Sequence, residues 1–301
     1  MGGGGSYYDR DVSDKKLRTR SGFTSVAEEK FQRRSADEAV LPKNRRLICN
    51  VRSPVVLAMD DTGSMGNLPK IFTDKTPMVA GQLAERKYLE DVEISLAGIG
   101  DVISDDAPIQ VADFSAVRNL DNWLERLWLE GNGGGQHFES YEFMAYFYAK
   151  YVEMPNAETP MFIFTGDEGF REELLATDLT KHFGGRHKKT SAKEIFDELK
   201  RKFKGNVFLI HRYYQDARLN EEILRQWQGV LGETHVIEMG PQKNDLAIAD
   251  IMLGLFAIIG GKQTLVEYLN DMRARGQDEH RCNIVFGALK DLALAKHRHQ
   301  D

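Results

Sequence analysis

Short apolar runs alternate with segments of helical periodicity from residue 50 onward. The run 54–59 contains no polar residue, which is typical of a strand buried on both faces of a sheet. A segment with helical spacing of apolar residues follows at 68–88, and Pro69 lies where the first turn of a helix tolerates it. The predicted strands are 51–59, 92–99, 109–114, 161–164, 207–213 and 235–239, and the predicted helices are 68–88, 120–129, 139–152, 191–203, 220–231 and 245–259.

Strands that alternate with helices are typical of an α/β protein with a parallel sheet. The loop between the second and third predicted strands is too short for a crossover helix, so these two strands should pair antiparallel. We therefore predict a Rossmann-like, doubly wound, mostly parallel sheet with one antiparallel edge strand. Its domain is expected at residues 49–260, between a flexible basic arm at 1–48 and a helical C-terminal extension at 261–301.

The charge of the chain is uneven. Residues 1–50 carry eleven Lys and Arg against seven Asp and Glu, while the whole chain has a net charge of −6, so the remaining residues have a net charge of −10. Nucleic-acid binding normally requires a basic face or stripe. We therefore expect no nucleic-acid partner for the main body of the protein.

The cysteines and the apolar segments favour a cytoplasmic location. Cys49 and Cys282 lie far apart in a sequence without the pattern of a secretory leader, which is typical of a reduced compartment. The longest apolar stretch, 247–261, is interrupted by Asp250 and falls short of the ~20 residues that span a bilayer. We expect no membrane partner.

Acids and hydroxyls collect at the ends of four predicted strands. These residues are Asp60, Asp61, Thr62 and Ser64 at the first strand, Asp101 at the second, Asp113 at the third, and Thr165, Asp167 and Glu168 at the fourth. The carboxyl ends of neighbouring parallel strands converge, and two negative charges 4 Å apart repel by about 4 kcal/mol at an effective dielectric of about 20. No Lys or Arg lies within these motifs. A divalent cation such as Mg²⁺, which prefers oxygen ligands, would offset the repulsion.

These motifs carry a family resemblance. The sequence Asp-Asp-Thr-Gly-Ser-Met at 60–65 resembles the metal-ion-dependent adhesion site of von Willebrand factor A domains, whose pattern is Asp-x-Ser-x-Ser. The segment Phe-Ile-Phe-Thr-Gly-Asp at 162–167 is similar to the later strand of that family, which bears a distal metal-binding Asp. The third element of the metal site in that family is a Thr in the loop before a buried helix. The loop 133–139 of this chain has no Thr and offers Gln136 or Glu139 as an oxygen ligand instead.

The resemblance covers about residues 50–260 and implies a von Willebrand factor A-like fold with a non-catalytic function. A Mg²⁺ or Mn²⁺ ion at the site would accept an Asp or Glu of a protein partner. Intracellular relatives often act beside ring-forming ATPases, so the resemblance implies a partner of that class and a role as adaptor or regulator. The implied metal ligands are Asp60, Thr62, Ser64, Asp167, Gln136 and Glu139.

Two alternatives remain open from the sequence. One is a Mg²⁺-dependent phosphohydrolase or phosphotransferase that uses Asp60 as its nucleophile. The haloacid-dehalogenase-like form of that chemistry needs a second acid two residues later, where this chain has Thr62. The other alternative is a structural scaffold with a degenerate metal site, which the missing loop Thr favours.

Overall fold

The computed structural model of the chain describes residues 35–128, 137–240 and 244–298. The strands are β1 (Leu47–Ile48), β2 (Ser53–Asp60), β3 (Val92–Ile99), β4 (Ile109–Val111), β5 (Phe138–Glu139), β6 (Val152–Glu153), β7 (Met161–Gly166), β8 (Gly169–Phe170), β9 (Glu173–Leu174), β10 (Thr190–Ser191), β11 (Val207–His211) and β12 (Val236–Glu238). The helices are α1 (Leu68–Arg86), α2 (Leu120–Leu124), α3 (Tyr141–Tyr151), α4 (Ala176–Phe183), α5 (Ala192–Lys202), α6 (Ala217–Leu231), α7 (Ile248–Ile259), α8 (Leu265–Ala274) and α9 (Glu279–Arg298).

Six strands form the central sheet in the order β12-β11-β7-β2-β3-β4. All neighbours pair parallel except β3 and β4, which pair antiparallel at one edge. The predicted mixed α/β class, with a mostly parallel sheet and one antiparallel pair, is confirmed. The antiparallel pair arises because the nine residues between β3 and β4 are too few to form a crossover helix.

The sheet is covered on both faces, which explains why β2 is apolar at nearly every position. Val55, Leu57 and Met59 point into one hydrophobic core, which they share with α1, α7, α8 and α9. Val56 and Ala58 point into the other, which contains residues of α3, α4, α5 and α6. Since successive side chains of a strand point to opposite faces, both sets must be apolar.

Helix boundaries follow local sequence rules. Ser191 and Glu194 form the capping box that the sequence predicts at the start of α5. Pro69 lies in the first turn of α1, as predicted. The sequence did not reveal α4, which is only eight residues long, nor the paired two-residue strands. Such short elements have too few residues to show a period.

Several sequence predictions concern the two ends of the chain and the loop before α3. Residues 1–34, most of the predicted arm, lie outside the described residues, and so does the loop 129–136 with Gln136. The predicted domain boundaries therefore stay predictions. The C-terminal segment contains the helices α8 and α9, which pack on α7. Across the described ranges, no helix is long and apolar enough to cross a membrane.

Candidate functional site

The candidate site lies at the carboxyl edge of the central sheet, where β2, β3 and β7 end side by side. Asp60 at the end of β2 pairs in register with Ile99 of β3, and Met59 pairs with Thr165 of β7. The turns that leave these strands therefore come together. We call this region the acidic edge because each of the three turns contributes buried carboxyl groups. Those groups are Asp60, Asp61, Asp101, Asp105, Asp167 and Glu168.

Asp60 is at the centre of the acidic edge and is fully buried. Its Oδ1 atom accepts hydrogen bonds from the backbone N–H of Thr62 at 3.0 Å and from the Thr62 hydroxyl at 2.5 Å. Its Oδ2 atom accepts a hydrogen bond from the Tyr141 hydroxyl at 2.5 Å. Burial raises the pKa of Asp60 above its usual value, and these hydrogen bonds oppose the shift.

Hydroxyl groups connect Asp60 to the neighbouring strand. The Thr62 hydroxyl lies 3.3 Å from the Ser64 hydroxyl, and Ser64 donates to Asp167 Oδ1 at 2.8 Å. Burial and the nearby Asp60 raise the pKa of Asp167 to about 7, against the effect of Ser64 and Arg212. The structure thus brings together four of the six residues that the sequence analysis selected as metal ligands, in one hydrogen-bonded chain.

Two arginines contact the acidic edge. Arg212 Nη1 donates to the backbone oxygen of Ser64 at 3.0 Å and lies 3.6 Å from Asp167 Oδ2. Arg171 Nη2 donates to Asp101 Oδ1 at 2.6 Å. Neither arginine lies within the motifs 60–65 or 162–167, so the sequence analysis did not select it. Each guanidinium offsets part of the negative charge of the edge.

Three glutamates leave acceptor atoms unpartnered at the acidic edge. Glu139 Oε2, Glu142 Oε1 and Glu168 Oε2 are buried without a hydrogen-bond partner in the described structure. Burial, together with Asp60, raises the pKa of Glu139 to about 11 and that of Glu168 to about 8. Burial raises the pKa of Glu142 to about 8. Glu139 and Glu168, which the sequence analysis named, therefore lie at the acidic edge, and Glu142 is an additional carboxyl group there.

Tyr141 is the residue that sequence reasoning missed most clearly. It is fully buried at the start of α3, and burial together with the Asp60 charge raises its pKa well above the usual value. Its ring packs edge-to-face on Trp227, with 5.1 Å between the ring centroids. The spacing of a tyrosine in an apolar helix predicts only that it is a core residue. The polar group that its hydroxyl contacts becomes known only from the fold.

No family model and no curated protein matches the chain. Among solved structures, the chain is similar to the pilus adhesin SpaC from Lactobacillus rhamnosus GG, with 10% identity, 71% of this chain and 31% of that chain covered, and a TM-score of 0.46. It is also similar to proximal thread matrix protein 1 from the mussel byssus, with 9% identity, 70% and 48% covered, and a TM-score of 0.44. A variant of the PilB minor pilin from Streptococcus sanguinis shows 12% identity, 76% and 64% covered, and a TM-score of 0.42. The chain spans less than two thirds of each of these proteins.

The expected membership in the von Willebrand factor A family is withdrawn, because no family model matches the chain. The expected cytoplasmic location is withdrawn as well, since two distant cysteines do not by themselves establish a compartment.

The predicted metal-dependent protein-binding module was also wrong. Within residues 35–128, 137–240 and 244–298, no three His, Cys, Asp or Glu side chains are grouped so that they could hold a metal ion. The physical reason lies in the hydrogen bonds of the strand-end turn. Thr62 and Ser64 direct their hydroxyls to Asp60 and Asp167, and Arg212 lies beside Asp167.

Proposed function

We propose that the protein is a non-catalytic binding domain whose acidic edge accepts a positively charged side chain, Lys or Arg, of a protein partner. The observation that supports this proposal is a set of buried acceptor atoms that have no partner among the described residues, namely Glu139 Oε2, Glu142 Oε1 and Glu168 Oε2. A buried acceptor without a donor costs about 1–3 kcal/mol, and more when the group is charged. A ligand that supplies donors and positive charge would recover this free energy.

The density of carboxyl groups at the edge supports a cationic ligand, because a nearby positive charge would favour the ionised forms of groups whose pKa values are raised by burial. Eight carboxyl groups are buried there, six in the strand-end turns and two at Glu139 and Glu142. Within the described ranges, the guanidinium groups that contact them are those of Arg171 and Arg212. Both contacts show that the edge already accommodates guanidinium groups. An additional donor group of the same chemistry fits the remaining acceptors.

The surroundings of the edge support a protein as the source of that group. Gly63 is exposed and Ser64 is partly exposed, so the strand-end turn can be reached from solvent. Ile103, Phe138 and Leu175 are exposed apolar side chains, with 64%, 41% and 48% of their surface accessible. Ile103 donates its backbone N–H to Asp101, and Phe138 precedes Glu139 in the sequence. Ile103 and Leu175 also line a cavity of about 380 Å³ beside Arg171. Apolar contacts around a charged anchor are typical of a protein interface.

The position of Asp60 supports a non-catalytic function. Both of its oxygens already accept hydrogen bonds from Thr62 and Tyr141, and the side chain has no exposed surface. A nucleophilic carboxylate must approach a substrate with a lone pair. The Asp60 nucleophile of the alternative phosphohydrolase therefore has little support from the geometry.

The Mg²⁺ or Mn²⁺ cofactor and the partner with an exposed Asp or Glu stay predictions. An acidic partner would be repelled by the edge unless a metal ion offset its charge. A Lys or Arg ligand therefore needs no metal ion, whereas an Asp or Glu ligand needs one. One experiment distinguishes these two cases.

The experiment measures the melting temperature of the full chain with a tripeptide that carries Lys between two Leu residues, and with its Glu counterpart. We expect only the Lys peptide to stabilise the protein, by about 2.7 kcal/mol at a hundred times its dissociation constant. Glu139→Gln should weaken this binding, whereas the surface variant Glu198→Gln, which removes a partner of Lys150, should not. Stabilisation by the Glu peptide that requires Mg²⁺ or Mn²⁺ and is reversed by EDTA would contradict the proposal, as would no effect of the Lys peptide.

A further inference from the structure

A second cavity, of about 440 Å³, lies far along α3 from the acidic edge. It is formed where the segment before β1 meets the end of α3 and the loop that follows α4. Its lining includes three arginines, a histidine and two aromatic rings. We call it the basic cavity. Its lining residues used below are Asn44, Arg45, Arg46, Tyr151, Arg186 and His187.

An aromatic wall supports one side of the basic cavity. The Tyr151 ring packs against Phe183 with 5.7 Å between the centroids, and against Phe147 with 5.8 Å. The guanidinium carbon of Arg46 lies 5.6 Å from the centre of the Tyr151 ring. A cation held over a ring keeps its N–H groups directed outward and available to a ligand.

The loop after α4 is fixed against the segment before β1. Asn44 N–H donates to the backbone oxygen of Phe183 at 3.0 Å. Gly184 has a φ of 74°, and a Cβ at this position would overlap the Asn44 side chain, so the close approach requires glycine. His187 contacts the Gly184 carbonyl through Nε2 at 2.6 Å and the Tyr146 hydroxyl through Nδ1 at 2.9 Å. The wall of the cavity is therefore built by specific contacts.

The positive charge of the basic cavity is only partly offset. Arg45 forms an ion pair with Asp113 at 2.5 Å. Arg46 and Arg186 have no carboxylate within 4.0 Å in the part of the chain that the structure describes. The cavity thus offers two guanidinium groups beside an aromatic ring.

We propose that the basic cavity binds a small molecule that carries a phosphate monoester on an aromatic ring. Arg46 and Arg186 would donate to the phosphate oxygens, since the planar guanidinium matches phosphate geometry. The ring of the ligand would meet the edge of the Tyr151 ring, because Arg46 lies over the face of that ring. The cavity volume is within the range of about 300–1,000 Å³ that is usual for small-molecule sites. This site is separate from the acidic edge and does not depend on its function.

The test is isothermal titration calorimetry of the full chain with phenyl phosphate and with inorganic phosphate, at constant ionic strength. We expect one site for phenyl phosphate and weaker binding of inorganic phosphate. Arg46→Ala and Arg186→Ala should each weaken phenyl phosphate binding by roughly tenfold or more, because each removes charge-assisted hydrogen bonds. The control is Arg218→Ala, which removes an arginine whose side chain is 88% exposed, and it should bind as the native protein does.

Several results would overturn the proposal. These are the absence of phenyl phosphate binding, equal affinity for inorganic phosphate, or the same loss of affinity in Arg218→Ala. Binding to anionic phosphatidylglycerol vesicles without binding of phenyl phosphate would also overturn it and indicate a membrane surface instead. Circular dichroism of Arg46→Ala establishes that the variant is folded. If it is not, Arg46→Lys is used, for which we expect reduced but measurable affinity.

Discussion

The two ends of α3 differ in charge and in the way they are built. The helix begins at Tyr141 beside the buried carboxyl groups of the acidic edge, and it ends at Tyr151 in the wall of the basic cavity. Negative charge at the N-terminus and positive charge at the C-terminus both interact favourably with the helix dipole. The same eleven-residue helix therefore supports two sites of opposite charge.

Burial is the larger difference between the two regions. At the acidic edge, Asp60 and Glu142 have no exposed surface, and Glu139 has 1%. At the basic cavity, Arg46 and Arg186 are exposed. Changes at the edge must therefore alter folding stability, whereas changes in the cavity lining should mainly alter binding. The following predictions test this contrast from the largest expected effect to the smallest.

The largest effect is expected for Trp227→Ala, beneath the acidic edge. Trp227 is fully buried against Tyr141 and Phe164, and its indole N–H donates to the backbone oxygen of Glu168 at 2.9 Å. Removal of a large buried aromatic side chain costs about 3–5 kcal/mol. Urea denaturation measures this loss. Tyr151→Ala, in the partly exposed wall of the basic cavity, is the control, and an equal loss there would remove the contrast between the two regions.

A smaller loss is expected for Gly166→Ala, at the end of β7. A Cβ at this position would overlap the Tyr141 hydroxyl, which is held by its hydrogen bond to Asp60. Overpacking of this kind costs about 1–3 kcal/mol. The matched control is Gly229→Ala in α6, where a Cβ meets no atom within 4 Å. That variant should be more stable than the native protein by about 0.5–1 kcal/mol, because alanine favours a helix. Equal unfolding midpoints for the two variants would contradict the prediction.

Much of the fold was predictable because it depends on sequence patterns of sufficient length. The apolar run of β2, the antiparallel pairing of β3 and β4 and the capping box of α5 all follow from local rules. The predicted strand 109–114 is shorter in the structure, Ile109–Val111, although the segment after it still hydrogen-bonds to β3 through Ala112 and Ser115. Boundaries of this kind depend on tertiary contacts that a single sequence does not show.

The candidate site was predictable only in part. Asp60, Thr62, Ser64 and Asp167 were found because they follow strands whose ends converge. Arg212 is different, because it lies 45 residues beyond Asp167 and meets it only through the pairing of β11 with β7. Family resemblance in the strand-end turns did not establish a family or a metal site, since a short motif specifies a turn and its hydrogen bonds more strongly than an occupant.

The C-terminal end of α3 should be sensitive to a single lysine. Lys202 Nζ donates to the backbone oxygens of Tyr148 at 3.1 Å and Val152 at 2.8 Å, and also to that of Ala149. Burial lowers the pKa of Lys202. Lys202→Met should reduce the free energy of unfolding by about 1–2 kcal/mol, because the last carbonyls of the helix lose their charged donor. Lys193→Met, whose lysine is 72% exposed in a surface ion pair, is the control and should change stability little.

The smallest effect concerns His182, which lies between the two regions on α4. Burial lowers its pKa to about 4, from about 6.5 in the unfolded chain, and its Nε2 atom is buried without a partner in the described structure. Between these two pH values the unfolded state binds more protons, so stability falls as the pH falls through that window. Glu142, whose pKa is raised to about 8, has the opposite effect on stability. Its contribution to the free energy of unfolding falls as the pH rises from about 4.5 to 8. The native protein should lose on the order of 1 kcal/mol of its free energy of unfolding between pH 6.5 and pH 4, after solvent screening of this partly exposed ring. The variant His182→Gln should not show this loss. Urea midpoints of the native protein and the variant measure the difference, and parallel pH profiles would show that His182 does not titrate with folding.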